Sequence, residues 1–426
     1  AVAAESERPN FIMVLVDDLG RQDLGVYGSS LYETPYIDQL AADGVRFDNA
    51  YTAHPRCVPS RVATMSGRYP ASYGVPGFQD RSEGPHALPL SAVTFAEALG
   101  EAGYETGYIG KWHVGKDGGE PSTQGFTTSI MAGKSGAPPS YFWPYEQRRS
   151  GGGGKTFEAY SGGGEGEYLT DRLTDEALAF IEQKKDAPFL LVLAQSAVHT
   201  PIEAPEPMVE KYREVISERG IPEGGPRSDR DVVIDNTGQV KTVQNNPTYA
   251  AMVESVDENL GRLVARLEEL GLADNTAIIL TSDHGGLSSR GLENQRELAT
   301  SNLPYRHGKG WLYDGGIRVP LIVKWPARVE AGQVSAVQVT GTDHYPTLLE
   351  MAGVDLRPEQ HSDGRSYLAA LQGESYTRDA MFWHSSLGRP ASTGDTRSSA
   401  VIHGDWKLIQ WYSLEDSSSV RTAVSN

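Results

Sequence analysis

Hydrophobic and polar positions alternate in blocks along this chain. Asn10 to Val16 is an unbroken apolar run that ends in Asp17-Asp18-Leu19-Gly20, the pattern of a strand buried on both faces with an acidic carboxyl end. Thr34-Pro35 then reads as an N-cap and a first helical proline, with Ile37, Leu40 and Ala41 turned inward and Gly44 as the stop. Thr94-Phe95-Ala96-Glu97 is a capping-box pattern opening a helix that carries Phe95, Leu99 and Ala102 and stops at Gly103. A short strand, Tyr104 to Ile109, delivers Gly110-Lys111-Trp112-His113.

The same grammar recurs twice more. Leu173, Ala177, Phe180 and Ile181 mark an amphipathic helix, and the buried strand Phe189 to Ala194 runs into Val198-His199-Thr200-Pro201. A long helix from Tyr249 to Gly271 precedes the strand Ala277 to Leu280, which ends in Ser282-Asp283-His284-Gly285-Gly286. Alternating helices and buried strands predict a mainly parallel sheet with helices on both faces. Ligands bind outside the carboxyl ends of such strands, where Asp, His and Lys collect here. Ala400-Val401-Ile402 and Trp406 to Ile409, around His403-Gly404-Asp405, predict an antiparallel hairpin. The expected division is a catalytic unit over 1–355 and a small α+β subdomain over 356–426. The glycine-rich stretches Gly151 to Gly154 and Gly162 to Gly166 read as mobile surface loops overhanging the strand ends.

Composition narrows the chemistry. With 426 residues, 38% hydrophobic and 22% charged, the chain can bury a sizeable core, and no apolar run is long enough to span a bilayer. A net charge of −18 repels nucleic acid, so an anionic substrate must meet a local cationic pocket. A single cysteine excludes an internal disulfide and a thiolate-rich zinc site. The small residues Ala1-Val2-Ala3-Ala4 resemble what remains beside a signal-peptidase site, from which a periplasmic or secreted location is expected.

Cys57-Val58-Pro59-Ser60-Arg61, followed by Met65-Ser66-Gly67-Arg68, resembles the signature of the type I, formylglycine-dependent sulfatases of the alkaline phosphatase superfamily. Gly110-Lys111-Trp112-His113-Val114-Gly115 and the block from His307 to Pro320 resemble two further blocks of that family, and the resemblance runs in order from Pro9 to about Pro326. It implies an alkaline-phosphatase-like α/β fold and hydrolysis of sulfate esters. Cys57 would be oxidised to formylglycine by a dedicated maturation enzyme, and one hydroxyl of the hydrated aldehyde would attack sulfur while the second is deprotonated to expel sulfate.

The resemblance assigns the remaining roles. Asp17, Asp18, Asp283 and His284 would ligate a divalent metal, with position 57 completing the shell. Calcium is the family expectation, and the softer histidine keeps magnesium or manganese open. Read alone, Asp17-Asp18 after a strand is equally a helix-capping or loop pair. Lys111 and His113 would hold and deprotonate the aldehyde hydrate, His199 would protonate the leaving alcohol from a pKa near ~6.5, Lys309 would grip sulfate, and Arg61 would orient position 57. Arg318 is expected to pair with a carboxylate. Tyr141, Trp143 and Tyr145 are read either as a platform for sugar rings or as loop anchors, and a sulfated carbohydrate is the expected substrate. A phosphonate monoester or phosphodiester hydrolase is the nearest alternative, and an inactive sugar-binding homologue is the alternative of another class. After Trp411-Tyr412 the family usually adds another strand and an acidic, proline-containing segment, and neither is expected here.

Overall fold

A computed structural model of the chain describes residues 8–74, 88–115, 118–148, 154–155, 162–225, 231–235, 238–412 and 420–425. Eight strands form the main sheet: β1 (Asn10–Val16), β2 (Val45–Tyr51), β3 (Glu105–Gly110), β4 (Thr128–Ile130), β5 (Phe189–Gln195), β6 (Thr276–Ser282), β7 (Leu321–Lys324) and β8 (Gln333–Thr340). Their order across the sheet is β8-β2-β7-β6-β1-β5-β3-β4. The three strands read from unbroken apolar runs, β1, β5 and β6, lie side by side at the centre and are buried along their whole length. β1 pairs in parallel with β6 and β5, which sets Val16 beside both Ser282 and Gln195. β7 is the exception, running antiparallel to β6 and β2, so the sheet is mixed.

Helices cover both faces, as the burial of β1 along its whole length requires. The helices among the described residues are α1 (Pro35–Ala42), α2 (Cys57–Ser66), α3 (Phe95–Glu101), α4 (Leu169–Lys184), α5 (Glu206–Glu218), α6 (Pro247–Glu269), α7 (Asp314–Ile317), α8 (His344–Met351) and α9 (Leu368–Leu371). Ile12, Val14 and Val16 pack with Ile37 of α1, Leu173 of α4, Tyr212 of α5 and Leu260 of α6. Phe11, Met13 and Leu15 face the opposite core with Val62 of α2, Phe95 of α3 and Leu348 of α8. The capping box at α3 forms as its sequence predicts: Glu97 N donates to Thr94 Oγ1 at 3.1 Å, and Thr94 N donates to Glu97 Oε2 at 2.7 Å. Thr34 behaves differently from the expected N-cap. Its hydroxyl is spent on Asp38 Oδ1, and the first amides of α1 donate instead to Asp257 from α6, Tyr36 N at 3.2 Å and Ile37 N at 2.7 Å.

A second, antiparallel sheet near the C-terminus comprises β9 (Ala380–Ser385), β10 (Ser398–His403), β11 (Trp406–Tyr412) and β12 (Val420–Ser425). The predicted hairpin is β10–β11. β12 pairs with β11 and supplies a strand after Tyr412 that the sequence reading did not expect. The sheet is pinned beside the carboxyl end of β2: Met381, Trp383 and Ile402 pack on Tyr51 and Ile317, and Trp383 Nε1 donates to Thr52 O at 2.7 Å. Of the glycine-rich stretches, Gly162 to Gly166 are exposed, while 151–153 and the segment 75–87 lie outside the described residues.

Candidate active site and metal centre

Parallel pairing brings four strand ends to one edge of the sheet. Asp17 and Asp18 follow β1, Asp283 and His284 follow β6, Lys111 follows β3, and His199 lies four residues beyond β5. Gly110 makes the turn into Lys111 possible: its φ is +99°, and a Cβ there would lie 2.1 Å from Ala194 O. Cys57 is the first residue of α2, so its side chain stands at the positive end of a ten-residue helix. All ten residues named from the sequence therefore meet in one place.

The contacts divide them into two overlapping groups. Metal-ligating atoms of Asp17, Cys57, Asp283 and His284 all lie within 4.8 Å of one another, as do those of Asp18, Cys57 and His199. His284 Nδ1 lies 3.1 Å from Gly285 O, and its Nε2 faces Cys57 Sγ at 3.2 Å and Asp18 Oδ1 at 3.3 Å. Asp18 N donates to Asp283 Oδ1 at 3.2 Å, and Lys309 Nζ donates to both Asp18 carboxylate oxygens, at 2.6 and 2.9 Å. Arg61 Nε donates to Asp283 Oδ2 at 3.0 Å, and its Nη1 to Lys111 O at 2.6 Å, while Lys111 Nζ pairs with Asp17. His113 lies beside the Cys57 thiol and interacts with it.

Burial and charge set the protonation states. Desolvation pushes Asp17 well above the ordinary carboxylate range even though Lys111 opposes it, and neighbouring Asp283, Cys57 and Asp18 push it further. Burial also opposes ionisation of Asp18, but Lys309, His199 and His284 outweigh it and hold Asp18 below the ordinary range. Burial resists ionisation of Cys57, yet Lys111, Lys309 and His284 bring the thiol well below its ordinary value. Burial lowers His113. Burial, followed by the Lys309 charge, pulls His199 down to about 3, a correction to the near-neutral value expected for it. Its Nδ1 lies 2.7 Å from Thr200 O, and its Nε2 lies 3.9 Å from Asp18 Oδ2.

The donor set, carboxylates with one imidazole around position 57, fits a divalent cation. Asp17 Oδ1 is buried with no hydrogen-bond partner among the described residues, and pooled carboxylates in a dry site repel unless a cation joins them. Each residue of the four-residue group offers one potential ligand atom.

Several neighbours escape a reading of motifs. Tyr108 OH donates to Lys111 O at 2.6 Å, fixing the carbonyl that also receives Arg61. Arg56 pairs with Asp395, carried on the β9–β10 connection. Adjacency to Cys57 could have marked Arg56, but Asp395 lies in no recognisable block. Arg318 pairs with Asp314 and caps Asp48 O, as expected of a structural arginine. Tyr141 and Tyr145 are buried, with Tyr141 OH donating to Ser196 O at 2.5 Å and to His199 O at 2.9 Å, so both are anchors; Trp143 is 39% exposed.

Comparison with known proteins agrees with this geometry. Residues 9–354 match the Sulfatase family model, and residues 306–421 match the model described as N-sulphoglucosamine sulphohydrolase, C-terminal. N-acetylgalactosamine-6-sulfatase of Homo sapiens is 30% identical over 95% of this chain and 72% of its own length. Steryl-sulfatase of Rattus norvegicus is 30% identical over 86% of this chain and 70% of its own. The crystal structure of Ps i-CgsB in complex with k-i-k-neocarrahexaose superposes with a TM-score of 0.75 at 30% identity, covering 98% of this chain and 86% of that one. The chain belongs to the sulfatase family, sulfuric ester hydrolases of the alkaline phosphatase superfamily.

Proposed function

We propose that this protein hydrolyses sulfate esters on a sulfated carbohydrate, with Cys57 matured to formylglycine and a divalent cation held by Asp17, Asp18, Asp283 and His284. The observation that carries the reading is the placement of Cys57: its sulfur lies 3.2 Å from His284 Nε2, inside a ring of acids and cations at one sheet edge. A hydrated formylglycine there would supply one hydroxyl to attack sulfur and displace the alcohol, and a second hydroxyl whose deprotonation re-forms the aldehyde carbonyl and expels sulfate. A divalent cation held by Asp17, Asp18, Asp283 and His284, calcium with magnesium or manganese as alternatives, would polarise the sulfate and lower the pKa of the attacking hydroxyl.

The chain's own groups do the rest. Lys309 and Lys111 bring fixed ammonium charges to the sulfate oxygens in a desolvated pocket, where such charges act strongly. Lys309 exchanges its contact with Asp18 for substrate. Arg61 holds Asp283 in place and keeps Nη2 directed toward Asp17, 3.8 Å from Oδ1. His113, held neutral by burial, accepts the proton from the second hydroxyl. An anionic sulfate beside His199 offsets Lys309, and the imidazole then carries a proton to the departing alcohol oxygen.

The carbohydrate assignment is supported by the relative named N-acetylgalactosamine-6-sulfatase, matched over more of this chain than the steryl-sulfatase, and by the oligosaccharide bound in the Ps i-CgsB structure. Among the described residues no helix is long and apolar enough to cross a membrane, and a periplasmic or secreted location suits a saccharide substrate. Activation by a formylglycine-generating enzyme is part of the same proposal. The test is turnover of sulfated saccharides, aryl sulfates, phosphonate monoesters and phosphodiesters by the matured protein. A kcat/KM led by a sulfated saccharide supports the assignment, whereas preference for a phosphonate or phosphodiester overturns it.

A further inference from the structure

The segment from Tyr305 to Arg318 serves two places. It brings Lys309 to Asp18 in the catalytic group, and it also borders a separate cleft of about 670 Å³ against the small C-terminal sheet. None of the ten residues of the catalytic group lines that cleft. Tyr305, Arg306 and Tyr313 line it from this segment, and Asp405, Trp406 and Lys407 line it from the β10–β11 turn. The turn closes where His403 pairs with Trp406, whereas Ser385 and Ser398, which flank the β9–β10 connection over Arg56, pair at the other end of β10. The length of β10, about 17 Å, separates the two ends.

The lining is held in place before any ligand arrives. The Tyr313 ring stacks on His307 at 5.4 Å and on Trp311 at 5.9 Å between centroids, with the Arg306 guanidinium 4.3 Å from its own centroid. The Tyr305 ring has Arg318 at 5.0 Å and Arg21 at 5.7 Å. Asp314 ties the two sides together, accepting from Lys407 Nζ at 2.5 Å and from Arg318 Nη1 at 3.5 Å. Gln338 Nε2 donates to Gly404 O at 2.8 Å and so fixes the hairpin turn, where Gly404 takes a φ of +58°. Trp406 sits on this turn 57% exposed, a large aromatic surface that gains free energy when a ligand covers it.

The chemistry of the lining names the occupant. A pyranose ring has an apolar C–H face and a rim of hydroxyls, which match aromatic faces interleaved with carboxylate and guanidinium groups in a cleft of ligand-sized volume. Basic residues outnumber acidic ones in the lining, so a chain of net charge −18 admits a sulfated sugar here. We propose that this cleft is a second carbohydrate-binding site, which holds a stretch of a sulfated saccharide chain apart from the ester being cleaved, with Trp406 and Tyr305 against the sugar rings. The proposal rests on the carbohydrate reading above and extends it to a substrate long enough to reach both places.

The experiment is calorimetric binding to the Cys57→Ala chain, which reads affinity without turnover. The probes are a sulfated galactan, a sulfated glycosaminoglycan and a monosulfated disaccharide cut from each. Trp406→Ala and Tyr305→Ala are added to the Cys57→Ala background, with thermal melts to establish that they fold and Trp406→Phe as the conservative change. At least one polymer binds about tenfold or more tighter than its disaccharide, because a chain engaged at both places gains from the second contact. Each alanine variant removes most of that gain and leaves the disaccharide affinity unchanged, and Trp406→Phe restores part of it. Polymers that bind no tighter than their disaccharides, a gain that survives both alanine variants, or an equal loss for polymer and disaccharide overturns the second site. Failure of the matured Cys57 protein to release sulfate from any probe, with the polymer gain intact, contradicts the hydrolase reading instead.

Discussion

The Cys57 sulfur lies 3.2 Å from His284 Nε2, while Nδ1 of the same imidazole is turned to Gly285 O. The residue to be modified and a proposed metal ligand therefore face one another, and a cation held by the acidic group would be within reach of both. Removal of divalent ions by a chelator is expected to abolish sulfate release and to lower the melting temperature, because a ligand at a hundredfold excess over its Kd stabilises the fold by about 2.7 kcal/mol. Metal content by mass spectrometry and melts with and without added calcium, magnesium or manganese check this. A melting temperature and activity indifferent to chelation contradict the metal assignment.

Lys309 closes on both oxygens of Asp18. Lys309→Ala removes a cation placed for charge that develops on the sulfate, and kcat/KM is expected to fall by about a hundred- to a thousandfold. Lys309→Arg rescues little, since a planar fork does not replace a compact ammonium in a buried pocket. Steady-state kinetics on one sulfated saccharide decide the matter, and a drop below about tenfold for the alanine variant removes Lys309 from the reaction.

His199 predicts a dependence on leaving group. His199→Ala is expected to slow a sugar sulfate by about a hundredfold or more and an activated aryl sulfate far less, since a good leaving group needs little protonation. Equal losses on both refute the acid role. In the free protein, burial and Lys309 keep the imidazole neutral down to about pH 3, so its NMR titration is silent across pH 5–7. Lys309→Met moves its midpoint upward.

His344, buried at the start of α8 with Nδ1 2.9 Å from Tyr367 OH, predicts acid lability. Burial lowers it to about 4, so the unfolded chain takes up a proton below about 6.5 that the fold refuses. Its contribution is present at neutral pH and is lost as the pH falls from about 6.5 to 4, amounting to about 3 kcal/mol. The stability gap between wild type and His344→Gln therefore narrows over that range in pH-dependent denaturation. A gap constant with pH contradicts the sign.

The centre of the fold was legible because β1, β5 and β6 are buried on both faces and must read as unbroken apolar runs. The convergence of the candidate residues was legible for the same reason: β1 and β6 run directly into Asp17 and Asp283, His199 lies four residues past the end of β5, and parallel pairing forces these ends together. What did not show was long-range partnership. The α1 amides are capped by Asp257, some 220 residues away, and no local pattern at Thr34 reveals it. Asp395 sits in a connection whose place over Arg56 depends on how β9 and β10 dock on Tyr51. The lowered value at His199 arises from its burial and the Lys309 charge, neither visible in Val198-His199-Thr200. β12 came as an addition because its partner in the sheet, β11, and not its own composition, defines it.

The central claim is that position 57 carries the nucleophile, and it is tested most directly by peptide mass spectrometry of the protein matured beside a formylglycine-generating enzyme, paired with sulfate release from a sulfated saccharide by the same sample. The account predicts an aldehyde at position 57, sulfate release in proportion to the converted fraction, and none from Cys57→Ala. Release that continues at full rate from Cys57→Ala, or a fully converted sample that releases no sulfate from any ester, contradicts it.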